Sequence, residues 1–141
     1  MSALLQQVLE LYPAEVRIVH KDNPIPGHPL SRQAAVAALA AGKQNKYWEY
    51  HDLIMKNISN LSPDNFLEFA AELGLDRDAF RKSLADPEHE KHIEKDMNEA
   101  VNAGVTGSPG IFINGQIFTR GFTLEMFKTR IDEELKKKKK K

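Results

Sequence analysis

Five histidines and a complete lack of cysteine bound the chemistry this chain can perform. Without a thiol there is no structural disulfide, no thiolate metal site and no cysteine nucleophile. The densest group of metal-ligating side chains is His89-x-x-His92, which on a helix brings two imidazoles to neighbouring positions with Glu88 and Asp96 nearby. Zinc needs third and fourth ligands that this pair lacks, and a helix rich in Glu, Lys and His reads as a solvated face, so neither a metal nor a cofactor is expected. His28, between Gly27 and Pro29, reads as a turn residue, and His51 as a hydrogen-bonding member of an aromatic helix. Tyr47, Trp48 and Tyr50 offer a ligand-stacking surface in principle, but aromatics at helical spacing are more often core with polar handles. Ser2 is a hydroxyl without an assignable base, which makes it a helix cap and not a nucleophile. No residue is therefore assigned a catalytic role. Gly107 and Gly110 flank Pro109 instead of opening a helix, so no phosphate-cradling loop is present. Taken alone, Gly107-Ser108-Pro109 is an ordinary trans turn leading into a strand, since only about 5% of X-Pro bonds in folded proteins are cis.

The elements that must carry these residues follow from periodicity. Leu4, Leu5, Val8, Leu9 and Tyr12 form one helical stripe stopped by Pro13, so the chain opens inside a helix. The β-branched run within Glu15 to Lys21 predicts a strand, bounded by Pro13 and by the cluster Pro24, Pro26, Gly27, Pro29. An alanine-rich helix is expected from Ser31 to about Ala41, where small side chains permit close helix approach, and an aromatic helix follows Gly42. Ser62-Pro63-Asp64 predicts the start of a helix carrying Phe66, Leu67, Ala70 and Leu73 and closing at Gly74. Asp76 and Asp86-Pro87 repeat that signal, the second helix turning Ile93, Met97, Ala100 and Val101 inward before Gly104. The period then changes: Ile111 to Ile113, Asn114-Gly115, and Gln116 to Phe118 predict a hairpin on a tight primed turn. Thr123 opens a last helix with Leu124, Phe127, Ile131 and Leu135 on one stripe.

With 141 residues, 41% of them hydrophobic and 28% charged, the chain is sized for one domain with its own core. The formal net charge is zero, yet six of the twenty basic residues form the run Lys136 to Lys141, leaving fourteen basic against twenty acidic in the body. An acidic body argues against nucleic acid as a partner, because affinity for phosphates needs a basic patch. Residues 136–141 read as a solvated tail at a helix C-terminus, where cations complement the dipole, and no lipidation motif or amphipathic basic helix makes them a membrane anchor. No stretch of about 20 apolar residues and no signal peptide is found, so no membrane partner is expected and the compartment cannot be read.

The run Gly104-Val105-Thr106-Gly107-Ser108-Pro109-Gly110-Ile111-Phe112-Ile113-Asn114-Gly115 resembles the cis-proline loop and following strand of the DsbA-like thiol-disulfide oxidoreductases of the thioredoxin superfamily. His28-Pro29-Leu30-Ser31 through Trp48-Glu49-Tyr50-His51-Asp52-Leu53, continued by Ala71 to Asp76, is similar to that family's helical insertion. The resemblance implies an α/β, thioredoxin-like domain over residues 1–135, with the insertion at about 31–103. In such proteins a first strand leads into Cys-x-x-Cys at the start of the first long helix. Here Met1 stands about where the second cysteine is expected, so the chain looks truncated before that helix, without the central strand or the dithiol. Disulfide exchange needs an attacking thiolate and a resolving thiol, and so the Cys-free chain is expected to be redox-inactive. What the resemblance leaves is a cis Ser108-Pro109 bond, with Gly107, Ser108 and Pro109 presenting backbone to an extended or unfolded polypeptide by strand addition. The alternative function is a non-redox peptide-binding or chaperone-like module using the Pro109 loop, with a kappa-type glutathione transferase relative ranked last. The empty central slot, flanked by the strands at Glu15 to Lys21 and Ile111 to Asn114, favours self-association, such as a homodimer. The resemblance also suggests an extracytoplasmic or periplasmic location.

Overall fold

The computed structural model describes residues 2–119 and 121–139. Among the described residues, seven α-helices and one hairpin follow in the order α1 (Ser2–Leu11), α2 (Ser31–Gly42), α3 (Tyr47–Lys56), a 3₁₀ turn (Ile58–Asn60), α4 (Asn65–Glu72), α5 (Arg77–Leu84), α6 (Pro87–Asn102), β1 (Phe112–Ile113), β2 (Gln116–Ile117) and α7 (Leu124–Lys139). They form two compact units, one from the residues up to His20 together with those from Val105 onward, the other helical and spanning Lys21–Gly104. None of the described helices is long and apolar enough to cross a membrane.

The helical unit is built around α2. Its alanines 34, 35, 37, 38, 40 and 41 are all buried, and α3, α4, α5 and α6 each pack against it. Small side chains let neighbouring backbones come close, and the space is filled by large residues from the partner helices: Tyr50, Ile54, Phe66, Phe69 and Phe80. Tyr50 is fully buried, and its hydroxyl donates to the Phe66 carbonyl at 2.7 Å, so the one polar atom in this aromatic core is satisfied. The caps at Asp76 and Asp86 form as their sequence signals require, their carboxylates accepting from Ala79 N–H at 2.7 Å and Glu88 N–H at 3.0 Å. Helix α4 starts later than Ser62-Pro63-Asp64 indicates. Asn65 reaches back instead, its Oδ1 accepting from the Ser62 backbone N–H at 2.8 Å and the Ser62 hydroxyl at 3.1 Å.

In the terminal unit, α1 and α7 pack together over the hairpin. Val8, Phe118, Phe127 and Ile131 are buried, with the Phe118 and Phe127 rings 4.7 Å apart. Tyr12 donates to Asp132 at 2.7 Å, tying the end of α1 to α7. The hairpin pairs Phe112 with Ile117 and Ile113 with Gln116 in antiparallel register. Asn114 and Gly115 both take positive φ, 49° and 77°, the pattern a type I′ turn demands. The expected strand at Glu15 to Lys21 is not formed: those residues join no sheet, and the only ladder among the described residues is β1–β2. Their side chains still alternate, Val16 and Ile18 half-buried against exposed Arg17 and Val19, but a strand exists only through a partner's hydrogen bonds. Lys136 to Lys139 continue α7, Lys136 to Lys138 are exposed, and Lys137 pairs with Glu134 at 2.7 Å. Lys140 and Lys141 lie outside the described residues.

Candidate functional site

The loop from Val105 to Gly110 leads through Ile111 into β1. Gly107, Ser108 and Pro109 are all exposed, and the Ser108–Pro109 peptide is cis. At the base of the loop Gly110 turns tightly over Val105: a Cβ on Gly110 would sit 3.0 Å from Val105 Cγ1, so only glycine fits without a shift. Gly107 is the opposite case, with nothing within 4 Å of a Cβ built there. The loop thus has a packed stem and an open crown.

What supports the loop is the hairpin and α7. Phe118 N–H donates to the Ile111 carbonyl at 2.7 Å, closing the hairpin just beyond the loop, while the Phe118 ring anchors it in the core. Arg130 bonds Gln116 on β2 and pairs with Glu134 at 2.8 Å; Asn114 Nδ2 reaches the same Glu134 at 3.2 Å. The donors Lys137 and Asn114 hold the Glu134 carboxyl below its usual pKa. Acceptance by Asp132, with smaller help from burial, pushes the Tyr12 phenol up to about 12. These groups position elements; none faces a nucleophile. The chain has no cysteine, and the Ser2 side chain lies outside the described ones.

The other residues singled out in the sequence scatter. His89 is buried and shares a 2.9 Å hydrogen bond with Ser83, so it does not join His92, which sits exposed with Nε2 at 3.4 Å from Asp96 Oδ2. Tyr50 is core, Tyr47 is half-buried, and Trp48 is exposed, stacked edge-on against Tyr47. His28 lies in the loop before α2, its carbonyl accepting from the Ser31 N–H and hydroxyl.

The model of the DSBA-like thioredoxin domain family matches residues 1–132. The chain belongs to this family. Its fold is the thioredoxin-like DsbA fold, mostly helical with a small two-stranded sheet. The solved structure of the thiol-disulfide exchange protein alpha-DsbA2 from Wolbachia pipientis aligns with a TM-score of 0.82 at 24% identity, covering 93% of this chain and 71% of that one. The oxidoreductase DsbA from Xylella fastidiosa aligns at 0.66 with 20% identity, covering 98% and 78%. Among curated proteins, the chain is 39% identical over 102 residues to Na(+)/H(+) antiporter NhaA 3 of Salinispora tropica, which covers 72% of this chain and 16% of the antiporter. It is also 27% identical over 138 residues to the probable disulfide bond formation protein D of Bacillus cereus, covering 92% of this chain and 59% of that protein. The chain therefore spans about a sixth of the antiporter and about three fifths of the Bacillus protein.

Proposed function

We propose that this chain is the substrate-facing part of a DsbA-like disulfide oxidoreductase domain, unable to exchange disulfides itself, with Gly107, Ser108 and Pro109 receiving an extended polypeptide. The observation that carries the reading is the open crown of the 105–110 loop, leading through Ile111 into a strand that has a partner on one side only among the described residues. An extended peptide can use such backbone for strand addition, where main-chain hydrogen bonds give affinity. With no thiolate to attack a sulfur and none to resolve a mixed disulfide, the covalent half of the reaction has no agent in this chain. In an insulin-reduction assay the chain is expected to add nothing to the rate set by the thiol reductant alone; turnover above that background ends the redox-inactive reading.

Gly107→Tyr separates binding from folding, because a Cβ at this exposed position meets nothing within 4 Å and the bulk beyond it is added at the crown of the loop. The variant is expected to melt with the parent and to bind a labelled, reduced and alkylated polypeptide at least ~tenfold more weakly, a loss of about 1.4 kcal/mol. Equal anisotropy titrations for the two proteins would remove the loop from the site. The non-redox alternative, a chaperone-like module, is favoured by the same exposed loop in a Cys-free chain. It predicts that stoichiometric amounts suppress aggregation of an unfolded client, whereas a bare substrate-docking surface leaves aggregation unchanged.

Self-association belongs to the same reading. Residues 15–21 alternate like a strand without joining a sheet, and Val19, Phe112 and Ile117 are exposed apolar side chains of the same unit. A second copy pairing along this edge would cover them. Light scattering after size exclusion is expected to return twice the 15.9 kDa chain mass, and a monomer across the concentration range overturns the idea.

A further inference from the structure

In the helical unit, two buried carboxylates and an imidazole converge from distant parts of the sequence. Asp96 is 3% exposed and Asp22 6%. One ligand atom each from Asp22, His92 and Asp96 lies within 4.8 Å of the others. His92 and Asp96 stand four residues apart on α6, so they share one helix face, and Asp22 is brought to them from the segment preceding α2. Its backbone N–H donates to Asp96 Oδ2 at 3.0 Å, fixing the carboxylate that His92 Nε2 also faces.

Lys21 bonds the other oxygen of Asp96, Oδ1, at 3.1 Å, but it is shared with Glu99 at 2.5 Å. Two carboxylates held this close together and out of water repel each other, and a cation bound between them relieves that repulsion.

We propose that Asp22, His92 and Asp96 bind one divalent transition-metal cation. The imidazole decides the class: it suits zinc and its first-row neighbours, whereas calcium and magnesium favour all-oxygen shells. Three protein donors leave a coordination position for water or an outside ligand. His92 is exposed and lines a cleft of about 480 Å³ together with Leu39, Lys43, Tyr47, Lys91 and Lys95, so its imidazole is reached from solvent. Lys21 Nζ and the Asp22 backbone N–H donate to the two oxygens of Asp96, orienting its carboxylate as outer partners of metal ligands do.

The test is calorimetric titration of the tag-free, chelator-stripped full chain with zinc chloride at neutral pH, alongside a cobalt(II) absorption spectrum. One equivalent is expected to bind saturably. His92→Ala removes an exposed ligand without opening the core, and is expected to weaken zinc binding at least about tenfold, as Asp22→Asn should too. Circular dichroism checks that both variants fold, and His28→Ala, on an exposed loop and outside the cluster, should bind as the parent does. Cobalt should give the intense visible bands of low-symmetry coordination in the parent and not in His92→Ala. Absence of saturable binding at millimolar zinc overturns the proposal, as does a folded His92→Ala that binds like the parent; either result makes the cluster a plain ion pair between His92 and two aspartates.

Discussion

Replacing Phe80 with alanine lowers the stability of the helical unit by about 3–5 kcal/mol, the range for deleting a fully buried phenylalanine ring. Phe80 is 0% exposed and lies 5.5 Å, centroid to centroid, from Tyr50, whose own ring meets Phe69 edge-on at 6.1 Å. The wall facing these rings is the alanine face of α2, which has no side chains long enough to move into the space a lost ring leaves. The cavity term therefore adds to the lost transfer term instead of relaxing away. Tyr50 makes the cost steeper still, since its hydroxyl is held on the Phe66 carbonyl and the ring cannot tilt into the void without giving up that bond. Urea denaturation checks the figure, with Val101→Ala as a control: Val101 is 74% exposed, so its truncation should stay within about 0.5 kcal/mol. A Phe80→Ala loss as small as the control's would mean that α2 and α5 close over the gap.

Val101 also shows where sequence reading fails. The expectation that it faces inward with Ile93, Met97 and Ala100 rests on a stripe drawn slightly too wide, and the final turn of α6 leaves it in solvent. The true inward stripe is His89, Ile93 and Asp96, spaced four and three. That spacing is present in the sequence, but His and Asp in a Glu/Lys-rich segment carry the polarity of a solvated face, and composition outweighed position. The hairpin was legible because Asn114-Gly115 encodes its turn locally, and the caps at Asp76 and Asp86 for the same reason. Glu15 to Lys21 misled because β-branched residues record a fit to a pleated surface, whereas strand formation depends on a neighbour the sequence does not specify. The sequence places His92 and Asp96 near each other, but Asp22's part in the cluster was invisible for a related reason: nothing local to Asp22 says which helix it will meet. The Gly107-Ser108-Pro109 loop stood out only through family resemblance, as its composition alone spells an ordinary turn.

Neutralising Asp22 should stabilise the metal-free protein around neutral pH and do nothing in acid. Burial, with the nearby Asp96 carboxylate adding to it and His92 opposing, pushes the Asp22 carboxyl from its usual 3.8 up to about 6. A group whose pKa is higher in the folded chain binds its proton more tightly there, so folding is favoured where the proton is on and penalised where it is off. Below about pH 4 both states are protonated and Asp22 costs nothing; between about 4 and 6 stability falls as pH rises; above 6 the penalty levels off at about 3 kcal/mol, the equivalent of the shift. An asparagine in its place keeps the shape and never ionises. With a chelator present, Asp22→Asn should therefore unfold at higher urea than the parent around neutral pH, by at most about 3 kcal/mol, and the two curves should meet near pH 4. His89 acts in the other direction, because burial holds its imidazole pKa down and its contribution is lost as pH drops below the usual histidine range. Both proteins carry His89, so that loss cancels in the difference and the pH dependence left over belongs to Asp22. A stability difference that stays constant from pH 4 to neutrality would show that the Asp22 carboxylate is compensated in place, by Lys21 and His92 acting together, and that its burial costs the fold little.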